Sequence, residues 1–167
     1  MRAALASGSN FWNGGTFYGT PEWNSITLLA AYLKKYPEDA SKIVLSVKSG
    51  FDFANLRGVG SPDLIKRELD QALKELDGLK KIDVFECARV DPDVPVEVTL
   101  KFLEDEYVKK GLVGGIALSE VAAATIRRAV KVTKIVAVEN EVSLWSTDVL
   151  ENGVAAACAE FGIPLVA

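Results

Sequence analysis

Short runs of apolar residues alternate along this chain with longer stretches in which apolar residues recur every three or four positions. The runs lie at about 9–13, 43–48, 82–88, 113–118, 135–139 and 164–167, and they favour Val, Ile and Phe. They are a few residues long and largely apolar, the pattern of parallel strands covered on both faces. The stretches between them predict helices. The clearest runs from Ser61 to Leu76: Ser61 stands at the N-cap position, Pro62 at the first helical position, and Leu64, Ile65, Leu69, Ala72, Leu73 and Leu76 share one face. The next spans Pro95 to Lys110, with Val96, Leu100, Leu103 and Tyr107 as its stripe and Gly111 as its end. Others lie near 24–35, where Leu29, Tyr32, Leu33 and Tyr36 face inward and Pro37 is the stop, and near 122–131 and 149–160. Residues 1–8 have too short an apolar part for a signal peptide and read as the last turns of a helix stopped by Gly8, which places the expected natural start upstream.

Strict alternation of strand and helix implies one parallel sheet with right-handed crossovers. Two architectures compete. A doubly wound sheet needs a glycine-rich turn after its first strand, and the only approach to one is Gly58-Val59-Gly60, which lacks the third glycine. A closed barrel instead places functional groups at the C-terminal ends of several strands. Asn13, Lys48, Arg89, Ser119 and Glu139 each stand where an apolar run ends, and this succession favours the barrel.

Composition narrows the chemistry. The 167 residues suffice for a single domain with a sizeable core, and the net charge of −4 argues against a nucleic-acid partner. No transmembrane run is present, so no membrane partner is expected. The absence of histidine removes the commonest metal ligand and general base, and no metal site is expected. Cys87 and Cys158 lie far apart outside any CxxC pattern and read as reduced thiols of a cytoplasmic protein.

Five segments, in order, resemble the motifs of the aldo-keto reductase family. The stretch from Asn10 through Asn13 and Tyr18 to Gly19 resembles Phe-Asp-Thr-Ala-x-x-Tyr-Gly, and Val47-Lys48-Ser49-Gly50 resembles Thr-Lys-x-Gly. The stretch from Asp83 to Asp91 is similar to Asp-Leu-x-Gln-x-His-Arg-x-Asp, that from Ile116 to Glu120 to Gly-Leu-Ser-Glu, and that from Glu139 to Leu144 to Gln-x-Glu-Tyr-Ser-Leu. The Phe-x-Cys-Ala-Arg-Val-Asp variant is closest to the fungal pyridoxal-reductase-like branch. The resemblance implies an α/β fold, a partial (β/α)8 TIM barrel made of strands two to seven of eight in a parallel sheet. Residues 1–167 would form a single incomplete barrel domain, since a full barrel takes about 250 residues. The family's nicotinamide-stacking tyrosine and its 2′-phosphate segment would lie beyond this sequence.

The resemblance also implies a reaction: NADPH-dependent reduction of a small-molecule carbonyl, with pyridoxal as the leading substrate. Tyr18 matches the proton donor and Lys48 its electrostatic partner; a free tyrosine, with pKa about 10, is a slow acid near neutrality, and an ammonium beside it lowers that pKa. Read alone, Tyr18 fits an aromatic loop residue better and Lys48 a solvated strand end, and the joint motif match reverses that. Asn13 replaces the family aspartate that pairs with the lysine, so Lys48 is expected to hold its proton less firmly. Ala88 replaces the carbonyl-orienting histidine, and its neighbour Arg89 is expected to point away and pair with Asp91. Ser119, Glu120 and Glu139 match cofactor-binding positions at the carboxamide, Ser119 being otherwise a helix N-cap. Trp12, Trp23 and Trp145 are read either as lining a substrate pocket or as core. The alternative function is a truncated, catalytically inactive relative or binding remnant, prone to self-association through open barrel edges.

Overall fold

The computed structural model describes all 167 residues. Helix α1 (Arg2–Ala6) ends at Gly8, whose φ of +84° suits glycine, and leads into β1 (Phe11–Gly15). Helix α2 (Ser25–Lys35) begins with a capping box: the Asn24 side chain accepts from the Ile26 and Thr27 amides, and the Thr27 hydroxyl accepts from the Asn24 amide. A 3₁₀ turn (Pro37–Lys42) leads to β2 (Val44–Ser49), followed by a small antiparallel hairpin, β3 (Phe51–Asp52) and β4 (Arg57–Gly58). Helix α3 (Pro62–Leu76) buries Ile65, Leu69, Ala72 and Leu76, as its periodicity predicts. Ser61 stands at its N-cap position, but the side chain makes no capping bond.

Strand β5 (Val84–Cys87) precedes α4 (Val96–Leu103), which continues as a π-helical turn (Glu104–Val108) that keeps Tyr107 buried. Then come β6 (Ile116–Ser119), α5 (Ala123–Ala129), β7 (Ile135–Glu139), α6 (Val154–Phe161) and β8 (Leu165–Val166). The helix expected over 149–160 is split: a 3₁₀ turn at Asp148–Leu150 is separated from α6 by Gly153, whose φ of +89° breaks the helical path.

The sheet is parallel, in the order β1-β2-β5-β6-β7-β8. It is strongly curled. Strands β1 and β7 are four spacings apart, about 19 Å across a flat sheet, yet the Asn13 and Glu139 side chains are 2.6 Å apart. The helices all pack on the convex side, where Leu45, Val47, Phe85, Ile116, Leu118 and Val138 join Ile26, Leu33, Leu69, Leu100, Ile126 and Ala157 in one cluster of 31 buried residues. The concave side has a separate apolar cluster of Val84, Ala117 and Ala137, all strand residues. Helices on one face only exclude the doubly wound sheet; this is part of a barrel wall. The Gly58-Val59-Gly60 segment is a packing device, since a Cβ on Gly58 would lie 2.6 Å from the Val90 carbonyl oxygen and one on Gly60 2.5 Å from the Thr99 hydroxyl.

Candidate active site

Parallel register stacks inward-facing residues in rows across the concave face. Asn13 lies beside Ser46, Gly15 beside Lys48, Lys48 beside Glu86, and Ser119 beside Glu139. The outcome is a buried charge cluster near the C-terminal ends of the strands. Lys48 is 7% exposed and Glu86 1%. The Lys48 ammonium lies 2.9 Å from Glu86 Oε1 and also donates to Glu139 Oε1. Its approach to Glu86 Oε1 is an ion pair without hydrogen-bond geometry. Asn13 Nδ2 donates to Glu139 Oε2 at 2.6 Å and to Glu86 Oε2 at 3.2 Å, and the Ser46 hydroxyl donates to Glu86 Oε2 at 3.3 Å.

This geometry reverses one expectation. Asn13 does not act as the weak partner of the lysine; it ties two carboxylates together, and those carboxylates hold the lysine. Burial pushes the Lys48 pKa down, but Glu139 and Glu86 outweigh it and hold the ammonium above the ordinary lysine value. Burial likewise pushes Glu86 above the usual carboxylate range, assisted by the charge of Glu139 and opposed by Lys48. Glu86 is the residue that sequence reasoning missed. Its signal was present: a carboxylate inside an apolar strand, on the same face as Ala88.

Tyr18 sits on the loop between β1 and α2, 47% exposed. Its amide donates to the Gly15 carbonyl at 3.2 Å and its carbonyl accepts from Ser25 at 3.0 Å. Gly15 allows the loop to press against the end of β2: a Cβ there would lie 2.6 Å from the Lys48 carbonyl oxygen and 3.4 Å from the Tyr18 ring. The Lys48 ammonium is engaged by the carboxylates rather than by the Tyr18 hydroxyl. Beside Tyr18 stands an aromatic group: the Phe17 ring is 4.5 Å from Tyr18 and 5.3 Å from Phe53, which is 4.8 Å from Phe51. The tryptophans lie elsewhere. Trp12 packs edge-on to Tyr32 on the convex side, and Trp23 and Trp145 are 74% and 93% exposed.

The model of the aldo/keto reductase family matches residues 1–167. The chain belongs to that family. Among curated proteins it is 45% identical over its whole length to the Schizosaccharomyces pombe protein named "Probable pyridoxal reductase 2", covering 50% of that protein. It is 34% identical over 93% of its length to a Saccharomyces cerevisiae relative also named for pyridoxal reductase, covering 46% of it. The chain thus spans about half the length of the curated relatives it matches. Among solved structures it superposes on the thermostable aldo-keto reductase Tm1743, in complex with the inhibitor epalrestat, with a TM-score of 0.81 at 22% identity, covering 99% of this chain and 57% of that one. On the glycerol dehydrogenase AKR11B4 of Gluconobacter oxydans the TM-score is 0.84 at 17% identity, covering 98% of this chain and 50% of that one. These two likenesses confirm the partial barrel.

As an aldo/keto reductase, the chain departs from its motif-based expectations at several positions near the rim. Arg89 does not pair with Asp91; its guanidinium donates to the Ala88 carbonyl at 2.5 Å and to the Ser119 hydroxyl at 3.3 Å. Asp91 is already taken by Arg57, at 3.0 Å, and by the Gly60 and Asp93 amides, which together outweigh burial and hold its pKa below the usual range. Ser119 is no helix cap, since α5 starts after Ala122. Glu120, at a φ of +53°, accepts from the Glu141 amide at 2.7 Å and from Asn140 Nδ2 at 3.3 Å. Both Glu139 oxygens are engaged, by Lys48 and Asn13. A nicotinamide carboxamide offers one NH2 donor and one carbonyl acceptor. Ser119 has a hydroxyl hydrogen to give, and Asn140 Oδ1 is buried without a partner. These residues fit the group.

Proposed function

We propose that this chain is the core of an NADPH-dependent reductase of aldehydes, with pyridoxal as its first substrate. One observation carries the reading: the concave face buries an ammonium, Lys48, near the strand ends, under a loop that carries Tyr18. The two fungal relatives named for pyridoxal reductase support the substrate class. Ser119, with Glu120, Glu139 and Asn140 beside it, forms the carboxamide end of the cofactor site. NADPH, when bound there, supplies the hydride. Tyr18 gives its phenolic proton to the carbonyl oxygen, and the Lys48 charge lowers the cost of that transfer. Ala88 has no donor to orient the carbonyl, and the phenol of pyridoxal brings a donor of its own. The rings of Phe17 and Phe53, packed beside Tyr18, are the apolar surface on which a flat aromatic substrate would stack. A cytoplasmic location fits the two buried free cysteines; no helix is long and apolar enough to cross a membrane.

The test is NADPH oxidation by pyridoxal in the natural polypeptide that contains this sequence. Tyr18→Phe should slow turnover by about 10²-fold or more while cofactor binding persists, and Lys48→Ala should be comparably damaging. Near-normal turnover in both variants would move the proton donor elsewhere.

A second reading concerns the 167 residues alone. Strands β1 and β8 are the edges of the curled sheet, and each has a strand on one side only. Unpaired edges template association with other chains. The isolated chain should therefore self-associate and show no saturable NADPH binding at micromolar concentration. Size-exclusion chromatography with a tryptophan-fluorescence titration checks this; a monodisperse monomer that binds NADPH would refute it.

A further inference from the structure

A buried ammonium needs a counter-charge, and β1 does not supply one here, because its residue at the site is the neutral Asn13. The groups facing Lys48 can be named strand by strand. Strand β1 brings Asn13, β2 brings Ser46, β5 brings Glu86, β6 brings Ala117 and Ser119, β7 brings Glu139, and the loop above carries Tyr18. Only Glu86 and Glu139 bring a negative charge. Of these, Glu86 is 1% exposed, whereas the Glu139 side chain is 25% exposed at the rim.

We propose that Glu86 is a positioning residue of the reductase site: it is the fixed counter-ion of Lys48, and it works because Asn13 has given up that role. The assignment rests on the reductase reading above. Its warrant is the pattern of donors and acceptors. Lys48, Asn13 and Ser46 all present hydrogens or positive charge to Glu86, and no group there accepts a hydrogen from it, which favours the ionised carboxylate against the opposing effects of burial and the Glu139 charge. Asn13 completes the design because its amide has two hydrogens, one for each carboxylate. An aspartate there would set a third carboxylate against the other two. The residues at 13 and 86 are therefore one unit: amide on β1 with carboxylate on β5, or the reverse, but not two carboxylates and not two amides.

The unit predicts a change of sign that independent residues cannot produce. Glu86→Gln removes a carboxylate from Lys48 and should lower kcat/KM for pyridoxal about tenfold or more, moving the alkaline limb of its pH profile to lower pH. Asn13→Asp alone should also lower kcat/KM. The double variant, with the two groups exchanged, should recover most of the loss and return the alkaline limb towards its original place. Losses that simply multiply, to within about twofold, are the additive result and would overturn the proposal. If Glu86→Gln does not fold, the exchange is read as rescue of folding: a double variant that folds supports the unit, and one no better than the single overturns it. A second readout needs no activity. Titration of the Lys48 Nζ resonance by NMR in the natural polypeptide that contains this sequence should show a lower pKa in Glu86→Gln and recovery in the double variant. An unmoved resonance would overturn the assignment. Absence of reductase activity from every protein, with the resonance moving as expected, would refute the reductase reading and leave the counter-ion assignment standing.

Discussion

The two faces of the sheet are built from the same strands and obey different physics. In β5, Phe85 and Cys87 face outward into the helices, while Val84 and Glu86 face the concave side. The outward set joins a continuous apolar cluster. The inward set is small or charged, and its polar members bond to one another across four strands, β1, β2, β5 and β7. Strand alternation makes the division possible, since each residue is assigned a face by its parity. The lesson is that stability and chemistry can occupy adjacent positions in one strand without competing. The convex face contributes by removing apolar area from water, which does not depend on pH. The concave face contributes through charges, which do.

Substitutions can break that division or sharpen it. The largest expected effect is on the convex side. Phe85 is fully buried, and Phe85→Ala should cost about 3–5 kcal/mol in denaturant unfolding; a cost below about 1 kcal/mol would mean the cluster does not carry the fold. Next comes Lys48→Met, which keeps the bulk and removes the cation. Breaking a fully buried pair costs about 3–5 kcal/mol, but Glu139 is partly solvated and Glu86 can take up a proton, so about 1–3 kcal/mol is expected at neutral pH. Smallest is Trp145→Ala. Its ring is 93% exposed, and stability should change by less than about 0.5 kcal/mol; a larger loss would place that loop in the stability of the fold.

Much of the convex face was legible in the sequence, and less of the concave one. Strands β2 and β7 lie where the apolar runs at 43–48 and 135–139 put them, because burial makes most of their positions apolar even though Ser46, Lys48 and Glu139 interrupt or end the runs. The β3–β4 hairpin was not readable, since two residues per strand are too few to show a period. Lys48, Ser119 and Glu139 could be picked out because they end apolar runs. Their bonding could not. Asn13 finds its partners 73 and 126 residues away, a distance at which no local pattern speaks. The nearby pair expected between Arg89 and Asp91 lost to Arg57, which the hairpin delivers from 34 residues upstream. Glu86 stands out as a carboxylate in an apolar strand, but only the curl of the sheet shows what it faces.

The pH dependence of unfolding compares the two faces most directly. Lys48 has a folded-state pKa raised above its ordinary value, so its contribution is full below that value and is lost as pH rises through the higher one. Glu86 is also raised, so its contribution is full below the ordinary carboxylate value and falls as pH rises through its own. Without Lys48, no positive charge offsets Glu86 as it ionises. Unfolding free energies of the wild type, Phe85→Ala and Lys48→Met, measured from about pH 4 to pH 9, should give two curves that run parallel for the wild type and Phe85→Ala. The Lys48→Met curve should lie close to the wild type in acid and fall away from it as pH rises. Three parallel curves would contradict the account, because the concave cluster would then hold no charge that matters to the fold.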